Sequence, residues 1–107
     1  MEEKRVGHVR FAGFNCDVIL AKYENGRLAI QLLEKEDGMP VATASINLPD
    51  EPLEQDEVFI KNYFENEGML QCLMNAGIIG EPIDFVSSGL VNNIPKCKVL
   101  TEGIWKD

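Results

Sequence analysis

The chain has 107 residues and a mass of 12.0 kDa, with 45% apolar and 26% charged side chains, enough for one modest core and a single domain. Ten Lys and Arg against eighteen Asp and Glu leave a net charge of −8, which argues against free nucleic acid as a direct partner. No apolar run approaches the roughly 18 residues of a membrane span, and the opening MEEKRV carries acids where a signal peptide needs basic residues before an apolar stretch. These features exclude a membrane protein, a secreted precursor, a disordered tail and a multidomain enzyme, and predict a small soluble domain of the cytoplasm.

The three cysteines, Cys16, Cys72 and Cys97, are odd in number, form no CxxC pair and have one histidine beside them. A disulfide framework or a zinc site is therefore not expected; the three read as small apolar side chains, reduced in a cytoplasm.

Val6 to Phe11 and Asn15 to Tyr23 are rich in β-branched and aromatic residues, and Ala12-Gly13 between them suits a tight turn. Asn25-Gly26 suits a two-residue turn with positive φ. With Glu24 opposite Arg27 the cross-strand pairs become Tyr23/Leu28, Ala21/Ile30 and Ile19/Leu32, all apolar and on one face. The other face then carries Lys22/Ala29, Leu20/Gln31 and Val18/Leu33, a mixed and half-exposed set.

The turn Glu36-Asp37-Gly38-Met39 allows two registers. A two-residue loop sets Leu32 against Thr43. A three-residue loop with Gly38 left-handed sets Leu32/Ala44, Ile30/Ile46 and Leu28/Leu48, which continues the apolar face, so a glycine bulge is expected.

The stretch LPDEPLEQDEV, with two prolines and five acids, leaves the sheet as a loop, and Val58 to Lys61 reads as a short strand. Leu70, Leu73, Met74 and Gly77 fall at helical spacing, with Asn66 as N-cap, Glu67 in the first turn and Gly77 at the C′ position. Gly68 in that first turn costs about 1 kcal/mol. Two closing strands are expected near Ile83 to Ser88 and Lys96 to Leu100, joined by a Gly89 to Pro95 turn. The predicted fold is α+β: an antiparallel β-meander, one short helix packed on a face, and a closing β-hairpin.

Chemistry-bearing residues are sparse. His8, the one histidine, faces Asp17 if Ala12-Gly13 is a two-residue turn, and Cys16 then points to the opposite face, so no Cys–His nucleophile pair forms. No GxxxxGK[ST] or strand-linked GxGxxG is present. The backbone from Asn66 to Met69 is flanked by Glu65 and Glu67, which repel an anion. Trp105 is expected to dock on the sheet. No catalytic residue, metal or cofactor is expected.

Acidic density is the more informative feature. Asp50, Glu51, Glu54, Asp56, Glu57, Glu65 and Glu67 crowd one stretch with Lys61 as the sole cation. The spacing lacks the DxDxDG frame of a calcium loop. It reads either as a solvated surface that maintains solubility or as an anionic contact aimed at a basic protein groove.

The segment VFIKNYFENEGMLQCLMNAGII, Val58 to Ile79, resembles the signature of a small uncharacterised family encoded by phages and mobile elements of gut and Gram-positive bacteria. SSGLVNNIPKCKVL, Ser87 to Leu100, resembles its closing segment; together they cover about a third of the chain. Asn62-Tyr63-Phe64 departs from the more polar tripeptide of the pattern. The resemblance carries over no catalytic residues. It implies an accessory protein of a mobile element, with inhibition of a host defence nuclease (anti-CRISPR or anti-restriction) as the expected function, through a basic groove on that host protein. A sponge for a nucleotide signal, with Arg5, Arg10, Arg27 and the Asn66 backbone as donors, and a plain accessory role are the alternatives. The mixed face with Val18, Leu20 and Leu33, and the unpaired sheet edges, predict a homodimer.

Overall fold

The computed structural model describes residues 3–100. Its elements are β1 (Lys4–Phe11), β2 (Phe14–Lys22), β3 (Leu28–Glu34), β4 (Pro40–Thr43), β5 (Ser45–Ile46), β6 (Glu57–Ile60), α1 (Met69–Asn75), β7 (Asp84–Ser88) and β8 (Val91–Lys98). They form an α+β fold of two antiparallel four-stranded sheets, ordered β1-β2-β3-β4 and β5-β6-β8-β7, with one short helix. Trp105 lies outside the described residues.

The first hairpin is as predicted. Ala12 (φ 54°) and Gly13 (φ 86°) make the turn, Phe11 opposes Phe14, and His8 opposes Asp17. The second is shifted by one residue, to Lys22/Leu28, Leu20/Ile30 and Val18/Leu32. Asn25 keeps a negative φ because its side-chain oxygen accepts the Arg27 N–H at 3.1 Å, and Gly26 (φ 86°) takes the left-handed position alone. The Tyr23 N–H then donates to the Arg27 carbonyl at 2.8 Å, closing a three-residue loop. A one-residue slip exchanges the faces. Cys16, Val18 and Leu20 therefore lie fully buried beneath the sheet, while Ile19 sits on the other face, half-buried.

At the next turn Gly38 is left-handed, as predicted (φ 72°), but the Glu34 N–H to Met39 carbonyl bond encloses four residues. A bulge between Leu32 and Leu33 then places Leu32 against Ala42 and Gln31 against Thr43, in place of Leu32/Ala44. The slip is an even number of residues, so the apolar face survives. Ile46 does not continue beside Ile30. The chain changes sheets at Ala44, and Ile46 pairs with Phe59 of β6.

The core lies between the inner faces of the sheets and α1. Val18, Leu20, Ile30 and Leu32 meet Val58, Ile60 and Cys97 of the second sheet and Met69 and Leu73 of the helix. Each such side chain contributes about 1.5–3 kcal/mol on leaving water.

The helix is two turns long and begins later than predicted. Asn66 is buried and donates its amide to the Thr43 carbonyl at 2.7 Å, tying the 3₁₀ turn Phe64–Asn66 to the sheet-crossing point. Gly68 is the true N-cap, at φ 94°, so the residue expected to weaken the first turn holds a conformation that suits glycine. The free Leu70 N–H is taken by Asn62 Oδ1 at 2.8 Å. The C-terminus is as predicted: with Gly77 left-handed, Gly77 N–H donates to Met74 and Ile78 N–H to Leu73, a Schellman pair.

The closing hairpin is present, but its turn is Gly89-Leu90 and β8 begins at Val91 rather than Lys96. Pro95 lies within β8 just where pairing with β6 stops, consistent with its missing N–H.

Candidate functional site

The seven predicted acidic residues are split between two connections that flank β6. Asp50, Glu51, Glu54 and Asp56 lie on the β5–β6 loop, Glu57 opens β6, and Glu65 and Glu67 lie between β6 and α1.

Specific contacts order the first connection. The Arg27 guanidinium forks two carbonyls, with Nη1 on Leu48 and Nη2 on Glu51, both at 2.7 Å. Asn25 Nδ2 donates to Asn47 Oδ1 at 3.2 Å. Glu54 and Glu57 close a reciprocal pair: the Glu57 carboxylate accepts the Glu54 N–H at 3.0 Å, and the Glu57 N–H donates to the Glu54 carbonyl at 3.2 Å. Only 7% of Glu57 is exposed. Its carboxylate holds the turn and is not presented to a partner.

Nor is Lys61 the sole opposing cation. Lys98 of β8 pairs with Asp56 at 3.0 Å, and Lys61 pairs with Glu65 at 2.7 Å. The Lys61 bond pulls the Glu65 carboxyl below its ordinary range, and Asp56 raises the Lys98 ammonium. Asp50, Glu51, Glu54 and Glu67 have no ion-pair partner among the described residues, and these four form the free anionic set.

An aromatic sits in the second connection, next to Glu65 and close in sequence to Glu67. Phe64 follows Tyr63 into the 3₁₀ turn, is 75% exposed, and has a φ of 55°. A bulky residue at positive φ is uncommon, because Cβ crowds the backbone. The turn is held by the Asn66 N–H to Tyr63 carbonyl bond (3.0 Å) and by buried Asn66. Tyr63 braces the Phe64 ring edge-on, centroids 5.1 Å apart, and the Lys61 ammonium lies 5.9 Å from the Tyr63 ring. This strained, water-facing phenylalanine was missed at the level of sequence. Its signal in the sequence is the adjacent aromatic pair Tyr63-Phe64 set between the polar residues Asn62 and Glu65.

The other candidates separate. Cys16 is buried on the core face while His8 is exposed opposite Asp17. Burial raises the Cys16 and Cys72 thiols and pushes Cys97 up to about 11. Of the anion donors, Arg27 is committed to Leu48 and Glu51, and the backbone N–H groups of Asn66 and Glu67 are taken by the Tyr63 and Phe64 carbonyls. They do not converge with Arg5 and Arg10 on β1. No group of three or more His, Cys, Asp or Glu side chains is placed to hold a metal among the described residues, and none of the helices there is long and apolar enough to cross a membrane.

Comparison of the chain with protein-family models, curated proteins and solved structures returns no match.

Proposed function

We propose that the chain is a non-catalytic binding protein whose contact surface is the ordered acidic segment Asp50–Glu67 with Phe64 as its anchor, and that it inhibits a host defence nuclease by occupying a basic groove. The observation that carries this reading is Phe64, held water-facing in a strained backbone beside Glu65 and Glu67. Strain of this kind costs of order 1–3 kcal/mol and concentrates at functional positions. An aromatic anchor within a charged rim is the usual composition of a protein contact, and the carboxylates steer it toward a cationic surface. The nuclease class rests on the resemblance of Val58 to Ile79 to the phage and mobile-element family, which also places the protein in a bacterial cytoplasm.

Glu57 is structural and Asp56 is paired, so neither is a position for charge reversal. The informative variants are Phe64→Ala and the triple reversal of Asp50, Glu54 and Glu67 to Lys. Against purified CRISPR effectors and restriction nucleases, the parent should block DNA cleavage by at least one, with inhibition about tenfold weaker in each variant. Equal potency of parent and variants, or no inhibition across the panel, contradicts the proposal.

A homodimer remains part of this reading, on different grounds. Val18 and Leu20 are core residues and supply no second face. The exposed apolar side chains of the closing hairpin, Ile83, Phe85 and Leu90, are the surface a second copy would cover. The Asp84 carboxylate accepts the Phe85 N–H at 2.8 Å, so packing rather than strand addition would join the copies.

A further inference from the structure

β1 is an edge strand of the first sheet, and helix α1 runs beside it. The two-residue Ala12-Gly13 turn makes Phe11/Phe14 the closing hydrogen-bonded pair, so Val9 bonds to Cys16 and the backbone groups of His8 and Arg10 face away from β2. The Arg10 carbonyl accepts the Cys72 thiol of the helix at 3.6 Å. The Arg10 N–H and both backbone groups of His8 have no protein partner among the described residues.

Between this open edge and the helix runs a groove of about 320 Å³, lined by His8, Val9, Arg10, Cys72, Asn75 and Ala76. That volume falls at the lower end of ligand-sized clefts. A groove with an open strand edge on one side and a helix on the other accepts an extended peptide as an added strand.

Charge decides what kind of peptide. β1 carries Lys4, Arg5, His8 and Arg10, all exposed, and no acid occurs from Lys4 to Cys16. On a chain of net charge −8 this strand is a cationic stripe. Asp17 opposes His8, and Asn15 Oδ1 accepts Arg10 Nη1 at 3.5 Å, which leaves most of the guanidinium's donors open. Alternation places His8 and Arg10 on one face and Val9 on the other. A docked strand with acids on the first face and small apolar residues on the second meets both.

We propose that the groove between the open edge of β1 and helix α1 is a strand-addition site for an extended acidic segment of a partner protein. It is separate from the Asp50–Glu67 surface, so the failure of either leaves the other standing.

The probe is a fluorescein-labelled octapeptide of alternating glutamate and valine, followed by polarisation and by amide spectra of the full chain. Its lysine–valine counterpart, a backbone N-methylated version and a labelled oligothymidylate are the controls. The glutamate peptide should bind at least tenfold more tightly than each control, and the His8 and Arg10 amides should exchange at least tenfold more slowly in its presence. Arg10→Glu and Ala76→Trp change exposed positions, one reversing the charge and one filling the groove. Each should weaken binding at least tenfold while circular dichroism stays unchanged. The proposal is overturned if the glutamate peptide does not bind, if the N-methylated or lysine peptide binds equally well, if oligothymidylate matches it, or if the two variants bind as the parent does.

Discussion

Phe64 offers a test in which the usual ranking of two small residues is reversed. At an ordinary position glycine is about 0.5–1 kcal/mol less favourable than alanine, because it loses more backbone freedom on folding. At the φ of 55° held by Phe64, a Cβ atom costs about 1–2 kcal/mol that glycine does not incur. The difference leaves Phe64→Gly more stable than Phe64→Ala by about 0.5–1 kcal/mol. Both variants lose the ring and its contact with Tyr63, so that loss cancels between them. In a domain of this size the gap corresponds to roughly 2–8 °C in Tm, and urea denaturation should show it as a shifted midpoint at constant m. Phe64→Asn, which tolerates positive φ, should fall between the two. A glycine variant no more stable than the alanine variant would refute the strained backbone and the functional argument built on it.

Arg27→Met keeps the aliphatic stem and removes the fork on Leu48 and Glu51; with both carbonyls near water the loss should be about 1–2 kcal/mol in denaturation, with faster exchange at the Glu51 and Glu54 amides. Leu20→Ala should cost about 2–5 kcal/mol and Ile19→Ala under half of that, and the reverse order would restore the register predicted from sequence. A Cβ added at Gly7 lies 2.6 Å from Ile78 Cδ1, so Gly7→Ala should destabilise by about 1–3 kcal/mol, and Ile78→Val, which removes that methyl, should recover most of it in a double-mutant cycle. The Cys97 thiol ionises near 9.0 when unfolded and near 11 when folded, so the folded state retains its proton longer; stability should fall by about 2–3 kcal/mol between those values, and Cys97→Ala should flatten that alkaline slope.

Local geometry was legible where one turn type fits. Ala12-Gly13 admits a single register, and the His8/Asp17 pair followed from it. Asn25-Gly26 serves a two-residue turn and a three-residue turn with a glycine bulge equally well. Alternation did not choose between them, because β2 carries apolar residues on both faces: Val18 and Leu20 on one, Ile19 and Ala21 on the other. Gly38 and Gly77 announce their left-handed roles, whereas Gly68 looks like a defect in the sequence because the side chain that takes Asn66 from the cap position bonds Thr43, distant in sequence. The acidic segment was visible as composition, but its internal division was not. Lys98 reaches Asp56 from the last strand, and Arg27 reaches Leu48 and Glu51 from a hairpin in the other sheet. The cationic run of β1 was equally visible, yet its significance depends on α1 packing alongside it, which tertiary structure alone supplies.

The central claim, that four unpaired carboxylates steer Phe64 onto a basic groove, is tested most directly by association kinetics with the inhibited nuclease as salt is raised. The parent's association rate should fall about tenfold from 50 to 500 mM salt, the Asp50, Glu54 and Glu67 reversal should remove that dependence, and Phe64→Ala should accelerate dissociation at unchanged association. An association rate indifferent to salt, or a Phe64→Ala complex that dissociates no faster than the parent's, would contradict it.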